Sequence, residues 1–425
     1  MAKPKLALIP AAQGSKLFSV LPSSGVGDFD FSRSGKATRI NSQGLIEEVT
    51  NHQSRLNYPM IDGKVVGCPH HILEPERRNL LPYSEFYGSG SGWSLFGSGV
   101  SNTSNAVISP EGNQNASLIT FSTSGSSTQF YRVVQTTGSK QVLSLFVKYI
   151  SGSGTSLRLS KSSAASYGIN LEFSNNGETL TGTVGASVDS YKIEDYGNKW
   201  FRVSVVLNFS SSAFEYNLFR YSGTGTDVYA IWGLQLEGNS SYPTSYIPTN
   251  GEANGVTRQA ETANGSGDAD TFNDSEGVLM YEFALQKGDN EARQFSLSNG
   301  SDNENVKILQ LNGSTVRFEA KMSSGSNFVK DVLIAAEINN KYLIQYKANN
   351  YKVFVNGFAQ SVGQRSTTPT GLNSISFDRG DGASDFYGKT KQIQYYNSTL
   401  TDSELEELTS WTSFTDMANG QLYTI

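Results

Sequence analysis

At 425 residues the chain is too long for one ordinary domain, so two or three units with their own cores are expected. Charged residues make up 17% of it, 33 basic against 39 acidic for a formal net charge of -6 with no long run of one sign, which argues against a nucleic-acid groove. No stretch approaches the roughly 18 consecutive apolar residues of a membrane-spanning helix, and Leu6 to Ile9, cut off by Pro10, is too short for a secretory h-region.

Cys68 is the only cysteine, so intrachain disulfides are excluded and stability must come from apolar cores or subunit association. Gly (42), Tyr (21) and Phe (23) are plentiful and Ser, Thr and Asn crowd the loops, a composition that favours many short strands joined by polar turns. The expectation is an all-β chain: two antiparallel β-sandwich jelly rolls after an irregular N-terminal module, with one short C-terminal helix.

Residues 1–82 hold all three histidines (His52, His70, His71), Cys68 and the pair Arg77-Arg78, without long alternating runs, and read as a separate module. From 83 to 249, runs of period two lie between Ser/Gly-rich loops, as in Val142 to Tyr149, Trp200 to Leu207 and Tyr229 to Glu237. In the last run, strict alternation places Ala230, Trp232, Leu234 and Leu236 on one face, with the other face partly wet. Residues 250–277, rich in Gly, Asn, Asp, Ala and Thr, read as a linker.

A second β unit follows over 278–425, with strands predicted at Val278 to Gln286, Val306 to Leu311, Val316 to Lys321, Lys341 to Lys347, Tyr351 to Asn356 and Lys391 to Tyr396. Asn349-Asn350 is a hairpin connection, and Asn356-Gly357 supplies the left-handed conformations of a type I′ turn. Thr401 and Glu404 have capping-box spacing, with Leu400 and Leu405 as staple, so 401–409 is predicted helical.

Three segments carry a resemblance. FDFSRSGKATRINSQGLIEEV from Phe29, then RLNYP, then GCPHHILEPERRNLLPYSE resemble the N-terminal module of bacteriophage structural proteins such as fibres and appendages. His70-His71 and Arg77-Arg78 depart from that pattern, so no binding role is carried onto them. GLQLEGNSSYPTSYIPT, Gly233 to Thr249, is similar to the closing strand and exit loop of a carbohydrate-binding-like jelly roll. KYLIQY from Lys341, YKVFVNG from Tyr351 and YYNSTLTDSEL from Tyr395 look like a laminin-G-like, concanavalin A-like domain. The resemblance implies a virion protein, made in the host cytoplasm and released by lysis, whose first module grips other virion proteins. It also implies a homotrimer that meets host or environmental glycans.

Cys68, His70 and His71 with Glu74 and Glu76 lack any zinc spacing. The histidines all fall in the attachment module, away from any nucleophile, and the carboxylates Glu47-Glu48, Glu194-Asp195 and Glu404/Glu406/Glu407 read as strand neighbours on opposite faces or a solvated helix surface. A non-enzymatic role is expected; the alternatives are a capsid-decorating or adaptor protein, and a polysaccharide depolymerase or bacterial surface glycan-binding protein. Asp268, Asp270 and Asp274 read as a solvated acidic stretch. Asp378, Asp381 and Asp385 are weak calcium candidates against a plain surface loop. Sugar stacking needs accessible aromatic faces, and Trp93, Tyr167, Tyr191 and Tyr387 lie in loop-like surroundings, while Trp200 and Trp232 read as core.

Overall fold

The computed structural model describes residues 3–125, 128–152, 156–162, 166–209, 213–249, 251–252, 254–285, 292–312, 314–335, 337–413 and 415–417. It is built almost wholly of antiparallel strands, arranged as two β-sandwiches.

The first sandwich packs the sheet ordered 100–107, 116–121, 227–238, 140–151, 201–208, 188–195 against the sheet ordered 94–96, 129–135, 213–220, 156–161, 168–174, 179–184. Leu143, Leu145 and Val147 of one sheet meet Leu157, Leu159, Tyr216 and Leu218 of the other in a closed apolar core. Of the sequence-predicted strands of this unit, Val142 to Tyr149 and Tyr229 to Glu237 fall within Lys140–Ser151 and Asp227–Gly238, and Trp200 to Leu207 matches Phe201–Asn208 except that Trp200 precedes the strand.

The face assignment of Asp227–Gly238 needs correction. Tyr229, Ile231, Leu234 and Leu236 enter the sandwich core, whereas Ala230 and Trp232 join a second cluster on the outer side. Gly233 sits between the two sets at φ +61°, where the pairing with 140–151 slips register between Ser144 and Phe146. A bulge adds one residue to one strand, and since side chains alternate every residue, the inward set changes parity there. A Cβ on Gly233 would also lie 2.9 Å from the Phe146 ring. The outer face is not wet: Ile46 of the N-terminal hairpin 37–40/46–49 and Tyr246 of the exit loop cover Phe146, Trp200 and Trp232.

The second sandwich packs the sheet ordered 358–363, 351–355, 340–347, 276–285, 388–396, 70–73, 56–57 against the sheet ordered 328–333, 315–321, 305–312, 293–298, 374–376. The strands predicted from sequence in this unit are all present, Gln286 alone lying outside the described residues. Asn349 (φ +61°) turns 340–347 into 351–355, and Asn356 and Gly357 (φ +49° and +85°) turn 351–355 into 358–363, the backbone that a type I′ turn demands. The helix runs Asp402–Thr409, with Thr401 and Glu404 closing a reciprocal capping box and Leu400, Leu405 and Leu408 packed on Val278, Met280 and Leu343.

Residues 1–82 do not stand apart as a module with its own core. Leu6–Leu8 and His70–Leu73 both pair with Gly388–Tyr396, and Arg77–Asn79 pairs with Asp227–Gly238 of the first sandwich. Leu6, Leu8, Leu17, Phe29, Phe31 and Leu73 are buried in the core of the second sandwich. The stretch 250–277 is likewise no solvated linker. Val256–Arg258 pairs with Arg77–Asn79, Thr262–Asn264 pairs with Phe29–Ser32, and Arg258 and Glu261 are fully buried. Short strands two to four residues long that pair far along the chain leave almost no periodic signal, which is why they were not legible locally.

Candidate functional site

Trp93 is in the first core, stacked on Phe130 at 4.6 Å and 6° and edge-on to Tyr87 and Tyr216. Tyr387 is in the second core, its hydroxyl 3.1 Å from Asp385 and its ring under Arg293. Neither offers a face to a sugar, so both assignments are corrected: they occupy loops by sequence but fill cores by packing. Tyr167 is half-buried against Phe209, with Lys161 over its ring. Tyr191 is 46% exposed, its hydroxyl 3.3 Å from the Gly182 carbonyl. The four do not converge on a common cleft.

The aspartates of the calcium candidate are taken by local partners. Asp381 holds Arg379 and the Ala383 amide, Asp378 is buried and accepts from the Gly380 amide, and Asp385 accepts from Tyr387. Burial raises the pKa of Asp378 and of Asp385 above the usual carboxylate value, the reverse of what a cation-binding pair needs. Among the described residues no cluster of three His, Cys, Asp or Glu could hold a metal. Cys68 is exposed, while His71 is fully buried between Phe31 and Phe377 with neither ring nitrogen hydrogen-bonded. Desolvation, with Arg55 nearby, brings His71 down to about 3, so it is neutral.

The chemistry instead gathers at the seam between the sandwiches. Arg33, Arg55 and Glu74 of the first module meet Arg258 and Glu261 of the former linker, all five buried. Glu261 accepts from Arg33 Nη1 and Arg55 Nε, both at 2.8 Å, from Arg55 Nη2, and from the Glu74 amide at 2.9 Å. Glu74 accepts from Arg55 Nη2 at 2.9 Å, Arg258 Nη1 at 2.7 Å and the Ser245 amide at 2.8 Å. Burial alone would raise the Glu74 carboxyl, but Arg258 and Arg55 overcome it and hold it far below the usual range. The motif residues Arg33, Arg55 and Glu74 are therefore a weld. Asn79 adds to it, donating to the carbonyls of Leu234 and Ile247 and accepting from the amides of Leu81 and Leu236. The two resemblance segments, 29–85 and 233–249, interlock here.

Beside the weld lies a polar cavity of about 130 Å³. The first module contributes Thr38, Arg39, Ile40, Ile46, Asn57, Ile72 and Glu74, the strand Val188–Asp195 contributes Lys192 and Glu194, and the second sandwich contributes Lys389. Phe146, Tyr196, Arg202 and the loop Pro243 to Tyr246 complete the wall. Lys192 donates to Glu194 at 2.6 Å, and Lys192 and Arg202 together bring Glu194 down to about 2 against its burial. Arg202 donates to the Thr244 carbonyl at 2.6 Å and lies over the Phe146 ring. Glu194 is the only residue of the sequence-stated carboxylate pairs that lines this wall, and its partner Asp195 points the other way along the strand, bonding the Gly197 amide. Lys389 and Arg202 had no sequence signal, because each is a lone cation on a strand until the fold brings them together.

A scan against protein-family models and a search of curated proteins find no match. Among solved structures, the chain is similar to the CBM40 module of the Ruminococcus gnavus IT-sialidase bound to α2,3 sialyllactose. The identity is 18%, with 34% of this chain and 92% of that one covered and a TM-score of 0.30. It is similar to the NanB sialidase from Streptococcus pneumoniae at 16% identity, covering 33% of this chain and 25% of that one, TM-score 0.30. For a heptameric SAP-like pentraxin from Limulus polyphemus the values are 10%, 33%, 71% and 0.26.

Proposed function

We propose that this chain is a non-enzymatic structural protein of a phage virion, a tail or head fibre or appendage, that attaches the particle to host or environmental glycans. The observation that carries the reading is the seam. Two filled β-sandwiches are joined through a buried five-residue ionic weld in which Arg33, Arg55 and Glu74, from the segment that resembles phage structural modules, meet Arg258 and Glu261. A stiff body of this kind transmits an anchoring contact to an outer surface, and the cavity at the weld presents the mixture of charged, hydroxyl and aromatic groups that sugars engage.

Association of several copies, taken as a homotrimer, belongs to the same reading because shallow sugar contacts are weak and gain avidity by repetition. Both sheets of the second sandwich end on strands that carry exposed apolar side chains, Leu333 (83% exposed) on one and Phe358 and Val362 (71% and 69%) on the other, surfaces suited to covering by a further copy.

Binding of the purified chain to a broad glycan array tests the adhesive role, with specific retention of at least one glycan class expected. Silence across the array would overturn it in favour of a purely structural appendage. Sedimentation as a monomer at high concentration would remove the trimer, and release of reducing sugar from host polysaccharide would replace adhesion by depolymerisation.

A further inference from the structure

We infer that the seam cavity binds a carboxylate carried on a sugar ring, held by Lys389 and Arg202. This rests on the glycan-adhesion reading and names the ligand class for one site.

Lys389 is fixed in register opposite Ile72 and Ala284 on the strand Gly388–Tyr396, which places it on the cavity wall. Among the described residues its ammonium has neither a hydrogen bond nor an ion pair. Burial, and Lys192 beside it, bring Lys389 down to about 8; Glu194 and Glu74 oppose this only in part, and Lys391 adds to it. Arg202, 7% exposed, satisfies one Nη on Thr244, but its Nε is buried without a partner.

The wall cannot correct these deficits itself. Of its two carboxylates, Glu74 is engaged by Arg55 and Arg258, and Glu194 by Lys192. Lys389 is half-buried on a wall that also carries Arg39, Lys192 and Arg202, so its cations outnumber its two carboxylates, and one anion entering there gains charge-assisted hydrogen bonds. A cavity of about 130 Å³ is smaller than a drug-sized pocket, so it suits one terminal sugar unit and not an internal stretch of polysaccharide. Tyr196, half-buried, supplies an aromatic side chain to the wall beside the cations.

The test is calorimetric titration of the full chain at pH 7 with methyl glucuronide, methyl glucoside, acetate and inorganic phosphate. Methyl glucuronide is expected to bind, with the glucoside and both small anions weaker by about 10-fold or more. Lys389→Met should weaken the glucuronide by about 10-fold or more, and Lys389→Arg should keep it, with unfolding midpoints showing that both variants fold. Should Lys389→Met not fold, the lysine Cε resonances of the wild-type chain give the same answer, because Lys389 must shift on adding glucuronide.

Equal affinity for glucuronide and glucoside overturns the proposal, as does acetate or phosphate matching the glucuronide, wild-type affinity in folded Lys389→Met, or an unmoved Lys389 resonance. Array binding to neutral glycans untouched by Lys389→Met would overturn this site while leaving glycan adhesion standing. Silence on the array removes both.

Discussion

The two sandwiches share an architecture but not a degree of self-sufficiency. The first closes its core almost entirely from residues between Leu80 and Leu236, and takes from the first module the short strand Arg77–Asn79, paired with Asp227–Gly238, and the cover of Ile46 over its outer face. The second takes Leu6, Leu8, Leu17, Phe29, Phe31 and Leu73 into its core and uses Leu6–Leu8 and His70–Leu73 to cover Gly388–Tyr396. The lesson is that the first module is part of one domain's packing and a clamp on the other, so its motifs serve folding before they serve any partner.

The sharpest way to break this comparison is to cut the chain. The piece 77–249 is expected to unfold cooperatively in urea, whereas 276–417, deprived of eight buried side chains (those six with Ala263 and Phe272) and two covering strands, is expected to lack a cooperative transition and to aggregate through the bared edge. A cooperative transition for 276–417 alone would refute the asymmetry.

Glu261→Gln tests the weld that joins the two. Three arginines would face one remaining carboxylate, and breaking a buried network in this way costs about 3–5 kcal/mol. Denaturation followed by fluorescence should then split into two steps as the sandwiches uncouple. Asp331→Asn, which breaks the exposed Arg317 pair on the second sandwich, should stay within about 1 kcal/mol.

His71 reports on the second-sandwich side of the module. Its folded pKa of about 3 lies below the unfolded value of 6.5, so the stability it allows is present above 6.5 and is lost as pH falls toward 3. His71→Leu removes two unsatisfied buried nitrogens, and is expected to raise stability by about 1–3 kcal/mol and to flatten the acid limb between pH 6 and 4. An unchanged acid limb would show that other groups govern it.

Glu85 reports on the first-sandwich side with the opposite sign. Burial raises its carboxyl to about 7, against the Tyr246 hydroxyl that donates to it at 2.7 Å. Its contribution is therefore present below the unfolded value of 4.5 and is lost as pH rises through 7. Glu85→Gln should remove a stability decline between about pH 4.5 and 7, an effect of roughly 1 kcal/mol once partial solvent screening is allowed for. A Tm profile over that range, compared with wild type, decides it.

Local chemistry alone determined the elements that depend on near neighbours. Periodicity of two located the long strands, Asn356-Gly357 specified its turn because few other residues tolerate two consecutive positive φ values, and Thr401 with Glu404 marked the helix start. Tertiary structure alone decided the rest. Gly233 reverses the faces of its strand by a bulge that depends on the partner strand, and Trp93 and Tyr387 are core because distant strands close over them. Arg33 and Glu261 meet across 228 positions of sequence, and Lys389 and Arg202 share a cavity wall only when both sandwiches and the first module are in place. Charges are legible one by one in a sequence, but whether each is paired, buried or left waiting for a ligand is a property of the folded neighbourhood.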